Sequence, residues 1–163
     1  MKKVLLISLI IIIIIIILLV ILKPFKKKKV ISDLSSFHFF YSTGTMINSQ
    51  VYYDIEFSNN KYILKIKPNN VPEEETKEFE LNENQILEII NILNKYEVFN
   101  WDGFHKNNKN VLDGDSFNLN LYTKNKDNIS ASGYMMWPKN YLNVKNELDN
   151  YFMNIYKGGE YGN

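Results

Sequence analysis

Ser36-Phe37-His38-Phe39-Phe40-Tyr41-Ser42 is the stretch on which the fold turns. Successive side chains of a strand point to opposite faces, so Phe37, Phe39 and Tyr41 form one aromatic face while His38 and Phe40 occupy the other. Thr43 to Asn48 contains Gly44 and reads as a turn. Beyond it Val51, Tyr53, Ile55 and Phe57 alternate with Tyr52, Asp54 and Glu56, which predicts a second strand with one wet face. Asn59 and Asn60, which tolerate the positive φ of tight hairpin turns, separate that strand from a third over Tyr62 to Ile66. Pro68 and Pro72 make 67–75 a loop, and Thr76 to Leu81, charged at alternate positions with Phe79 and Leu81 between, predicts a short edge strand.

Asn82 begins a helix. It offers a capping oxygen, Gln85 stands three residues on as in a capping box, and Ile86, Ile89, Ile90 and Leu93 recur at helical spacing. A polar, glycine-bearing segment runs from Asn100 to Asp115, after which Phe117, Leu119 and Leu121, then Ile129, Ala131 and Gly133, predict a second hairpin around the turn at Thr123 to Asp127. Pro138 suits the first turn of a final helix whose stripe is Tyr141, Leu142, Val144, Leu148, Tyr151, Phe152 and Ile155. Segregated strands and helices imply an α+β fold: an antiparallel sheet of about five to six strands with two helices on one face, in the order ββββαββα.

Upstream of this domain, residues 4–22 carry no charge and one polar side chain, Ser8. A helix of that length measures roughly 28 Å at 1.5 Å per residue, close to the hydrocarbon thickness of a bilayer, so the run is expected to be one transmembrane helix, a signal anchor. A cleaved signal peptide would need a shorter apolar core and small residues at its end, where Val20, Ile21, Leu22, Lys23 and Pro24 stand instead. The eight isoleucines from Ile10 to Ile17 offer no small-residue seam for helix pairing. The expected organisation is an anchor over 1–23, a basic linker over 24–35, one domain over 36–157 and a frayed tail over 158–163. Lysines flank both ends of the apolar run. The positive-inside rule taken alone puts the larger cluster in the cytoplasm, which leaves a cytoplasmic-facing scaffold open, but a basic start before an apolar run is the ordinary export signal. The domain is therefore expected on the extracytoplasmic side.

Residues 1–29 hold seven lysines and no acid, whereas 30–163 hold twelve lysines against eighteen Asp and Glu, leaving the domain near −6. An acidic domain whose basic residues are all lysine has no guanidinium fork for phosphate or guanine, which argues against nucleic-acid binding. Lys26 to Lys29 are instead placed to meet anionic headgroups. The absence of cysteine excludes disulfides, zinc ribbons and thiol catalysis.

Chemistry, if present, is expected in the segment around Trp101 to Ser116, which gathers Asp102, His105, Asp113 and Asp115. Three carboxylates and an imidazole could bind a hard cation or act as acid and base. The spacing is not that of a calcium loop, and Asp102-Gly103 and Asp113-Gly114 are ordinary turn dipeptides, so no catalytic residue, metal ligand or cofactor is assigned. His38 reads as a sheet residue. Trp101, Tyr134 and Trp137 lie in or beside the same connections and, if exposed, would form a flat surface for a sugar, peptide or protein.

Trp101-Asp102-Gly103-Phe104, Val111-Leu112-Asp113-Gly114 with Ser116-Phe117, and Ala131-Ser132-Gly133-Tyr134 with Pro138, Asn140 and Tyr141 resemble a group of small bacterial proteins of unknown function, often anchored or exported. The resemblance runs from about Phe37 to Tyr156 and implies one domain. It brings no activity with it. The functional expectation is a membrane-anchored binding domain at the cell envelope with a protein or envelope partner, its alternative a metal-assisted or hydrolytic enzyme centred on the 101–116 loop.

Overall fold

Seven strands form one sheet in this computed structural model, which describes residues 12, 13, 15, 29–44 and 49–158. They are β1 (Ser36–Ser42), β2 (Gln50–Ser58), β3 (Lys61–Lys67), β4 (Lys77–Leu81), β5 (Phe104–Asn107), β6 (Ser116–Tyr122) and β7 (Asn128–Tyr134), arranged β4-β3-β2-β1-β6-β7-β5. Helix α1 (Glu83–Lys95) lies between β4 and β5, and α2 (Tyr141–Gly158) follows β7. The α+β class and the two helices agree with the expectation. The strand count and the purely antiparallel sheet do not, because β5 adds a seventh strand that runs parallel to β7.

Local chemistry explains most elements. β2 and β3 join through Asn59 and Asn60, both in the left-handed region with φ of 52° and 61°, as a two-residue hairpin requires. At the start of α1 the Asn82 side chain accepts the Gln85 N–H, and the Gln85 side chain accepts the Asn82 N–H, so two otherwise orphaned donors are satisfied reciprocally. α2 starts at Tyr141, three residues after Pro138, because Asn140 takes a left-handed φ of 65°.

One core lies between the sheet and both helices. Phe37, Phe39 and Tyr41 of β1, Tyr53 and Ile55 of β2, Leu64 and Ile66 of β3, Leu119 and Leu121 of β6, and Ile129 and Ala131 of β7 are buried on the same face. Ile86, Ile89, Ile90 and Leu93 of α1 and Val144, Leu148 and Phe152 of α2 pack against them, with Phe152 stacked on Tyr53 at 4.4 Å. The packed body begins before β1, among residues expected to be linker. Ile31 and Leu34 are buried, the Ile31 N–H and C=O both bond the Asn94 side chain, and Leu34 C=O accepts the Tyr62 hydroxyl.

Among the described residues no helix is long and apolar enough to cross a membrane. The expected anchor over 4–22, apart from helical Ile12, Ile13 and Ile15, lies outside the described residues, as do Lys26 to Lys28 of the basic cluster, residues 45–48 of the first turn and 159–163 of the tail.

Candidate functional site

The segment expected to carry chemistry is divided by the sheet. After α1, Glu97 takes a left-handed φ of 58° and a 3-10 turn over Val98–Trp101 drops the Trp101 ring into the core. There it is 2% exposed, packs on Phe117 and Tyr141 at 6.1 Å, and donates its indole N–H to the Lys139 carbonyl at 3.0 Å. Trp101 is therefore a core residue and no part of a binding surface. Tyr134 is half-buried and spends its hydroxyl on the Leu112 carbonyl at 2.7 Å. Trp137 stays about one-third exposed, stacked on Tyr141 at 4.6 Å. The expected aromatic surface is reduced to one ring.

The acids do not converge. Asp102 Oδ1 accepts the Ser130 N–H at 3.1 Å near the start of β7, whereas the Asp115 carbonyl accepts the Met135 N–H at 2.9 Å just past its end. Five residues of strand separate those points, roughly 16 Å at 3.3 Å each. Asp113 sits in the turn with Asp115, and His105 lies on β5 in register with Ser132. Among the described residues no three His, Asp or Glu side chains gather to hold a metal ion. His105 Nδ1 and Ser132 Oγ stand 2.9 Å apart beside a cavity of about 330 Å3, the spacing of a base and a nucleophile. No carboxylate of the described residues pairs with His105, and the third group that orients a catalytic base is missing.

What the topology does assemble is the other face of the sheet. Both helices pack on the apolar face, so the opposite one is open, and the register aligns its side chains in rows across the strands. One row reads Glu78, Lys65, Asp54, His38, Asn120, Ser130 from β4 to β7, each paired with the next. Two neighbouring pairs in the row are hydrogen-bonded: His38 Nδ1 bonds Asp54 Oδ1, and the Ser130 hydroxyl donates to Asn120 Oδ1 at 2.9 Å. Asn120 Nδ2 donates to Asn118 Oδ1 in the neighbouring row at 2.7 Å.

Against a carboxylate acceptor the Nδ1 of His38 carries the proton, which leaves Nε2 directed away from the pair and without a partner among the described residues. The hydrogen bond to Asp54, aided by its charge and opposed by partial burial, raises the His38 pKa above its ordinary 6.5. A cavity of about 490 Å3 opens over this row, lined by His38, Asp54, Lys65, Glu78 and Asn120 and bordered by Ser36, Glu56, Ile63 and Tyr122. Composition and spacing did not single out His38. The signal was register: a hairpin closing around the turn after Ser42 sets position 38 opposite position 54.

No model of a known protein family matches the chain, and no curated protein matches it.

Proposed function

We propose that the protein is a membrane-anchored binding domain of the cell envelope that engages its partner through the open face of the sheet, not through the 101–116 segment. The observation that carries the reading is the in-register polar row from Glu78 to Asn120 beneath a cavity of about 490 Å3, on the face that neither helix covers. Binding sites are concave and hold a few convergent polar groups, and this cavity combines both features. The anchor rests on the uncharged run of residues 4–22 and the Lys26 to Lys29 cluster, which is suited to anionic headgroups. The basic start ahead of the run favours an extracytoplasmic domain.

Two measurements test this. The full chain is expected to stay with membranes through alkaline extraction and the chain lacking residues 1–23 to be released; release of the full chain ends the anchor reading. A photo-crosslinker replacing Lys65 in the cavity is expected to give adducts in cells, while one replacing Leu142, 64% exposed on the outer side of α2, gives none. Equal labelling from both positions ends the open-face reading. Protease added to intact cells separates the extracytoplasmic domain, which is digested, from the cytoplasmic scaffold, which survives until lysis.

A further inference from the structure

We infer that the cavity over His38 and Asp54 takes a neutral saccharide, a segment of envelope polysaccharide. The inference rests on the open face being the binding surface and names the chemistry of its ligand. Its volume of about 490 Å3 falls inside the ~300–1,000 Å3 range of small-ligand sites.

Charge comes first. His38 is paired with Asp54, and Lys65 stands in register between Asp54 and Glu78, so most of the charge in the lining is already opposed. Glu56 is the exception, facing Ser36 and Ile63 across the strands. A phosphate or carboxylate ligand would meet three carboxylates, Asp54, Glu56 and Glu78, and a strongly cationic one would meet the Lys65 ammonium and the His38–Asp54 pair. A neutral ligand incurs neither cost.

Hydrogen bonding comes second. The lining offers His38 Nε2, the Asp54 Oδ2 that His38 leaves unused, the Ser36 hydroxyl and the second N–H of the Asn120 amide, a mixture of donors and acceptors within one small area. Sugar hydroxyls both donate and accept, so one ring can satisfy several of these groups at once. Tyr122, 48% exposed at the rim, supplies an aromatic face for the apolar side of a pyranose ring.

A peptide fits less well. Beneath the cavity, β1 is hydrogen-bonded on both sides, to β2 and to β6, so an extended segment has no free strand edge there to pair with. Phe37 and Ile55 turn their side chains into the core, which leaves Ile63 as the aliphatic side chain on the cavity side and no pocket to seat an anchor.

The test crosslinks the full chain in the cells that make it, from position 65, and identifies the adduct by the mass added to the peptide that contains it. The expected result is an added mass built of sugar residues, removed by glycosidase. Tyr122→Ser leaves the core untouched and is expected to lower the yield several-fold, up to about tenfold, the loss of roughly 1.4 kcal/mol of contact. An added mass built of amino acids overturns the saccharide while leaving the open-face reading intact. Labelling from position 65 no greater than from position 142 overturns both. A sugar adduct insensitive to Tyr122→Ser and to Asn120→Ala, in variants that keep the wild-type unfolding midpoint, places the sugar outside the cavity and also overturns the inference.

Discussion

The Tyr53 hydroxyl donates to the Asp149 carboxylate over 2.8 Å, tying the centre of β2 to the middle of α2. Tyr41 bonds both oxygens of the same carboxylate at 2.9 Å, and Lys145, one helical turn earlier, bonds it at 2.8 Å while lying over the Tyr41 ring. One acid thus satisfies two phenols that would otherwise be buried without acceptors, at about 1–3 kcal/mol for each group left unpaired. Asp149→Ala is expected to cost about 3 kcal/mol in urea unfolding and Tyr53→Phe about 1 kcal/mol, since Asp149 keeps its other partners. Equal losses in the two variants would contradict this.

The same cluster has an alkaline signature. Burial first, then the Asp149 charge, holds the Tyr41, Tyr53 and Tyr141 hydroxyls well above the ordinary tyrosine range. A folded pKa raised above the unfolded value of 10.0 gives stability that is complete below pH 10 and lost as pH rises further. In an ultraviolet titration these three phenols should ionise together with unfolding, after the exposed tyrosines. Their ionisation while the far-ultraviolet dichroism remains native would refute the assignment.

His38 sets a second pH dependence. Its pKa is raised in the fold, chiefly by the hydrogen bond to Asp54, so its contribution is full below pH 6.5 and disappears as pH rises through the folded value. The pair is about 40% exposed on the His side, and solvent screening keeps the effect modest. The wild type should lose stability relative to His38→Gln over that rise. The imidazole proton resonance of His38 should titrate above 6.5. A His38 midpoint below 6.5 would sink the prediction.

Trp101 and Trp137 should separate cleanly. Trp101→Ala empties a core position enclosed by Phe117 and Tyr141 and is expected to cost about 3–5 kcal/mol. Trp137→Ala removes a ring that already faces water on one side and should cost less than half as much. Chemical denaturation measures both, and comparable losses would mean that Trp137 is a core residue as well.

Gly133 is required for space and Gly103 for conformation. A Cβ on Gly133 would collide with the Met136 carbonyl oxygen and the Phe117 ring, whereas Gly103 has open space but a φ of 75°. Gly103→Ala should therefore cost about 1–2 kcal/mol of left-handed strain, and Gly133→Ala more, because backbone must move. Thermal unfolding of the two variants gives the order, and a milder Gly133→Ala would show that the β7 end can yield.

The elements visible in the sequence were those with a local cause. Alternation marks β1 and β6 because each buries every second residue, and Asn82 with Gln85 marks α1 because the cap is closed within four residues. β5 has no such mark. Its four residues, Phe-His-Lys-Asn, include one apolar side chain, and its pairing with β7 depends on a partner more than twenty residues away. The burial of Trp101 likewise depends on distant partners, Phe117, Tyr141 and the Lys139 carbonyl. The open-face row was illegible for a related reason: Glu78, Lys65, Asp54, His38, Asn120 and Ser130 come from five different strand pairings, and their alignment exists only once the register does.

The strand closest in sequence to residues 4–22 is β1, the fourth of seven in the sheet and the one on which both halves are built, through β2 on one side and β6 on the other. Tension entering the domain from its N-terminal side therefore does not peel an edge one hydrogen bond at a time. It loads two ladders in shear simultaneously, after first having to pull Ile31 and Leu34 out of the core. Pulled from its N-terminal side, the domain should resist mechanical unfolding far better than when pulled from its C-terminal helix.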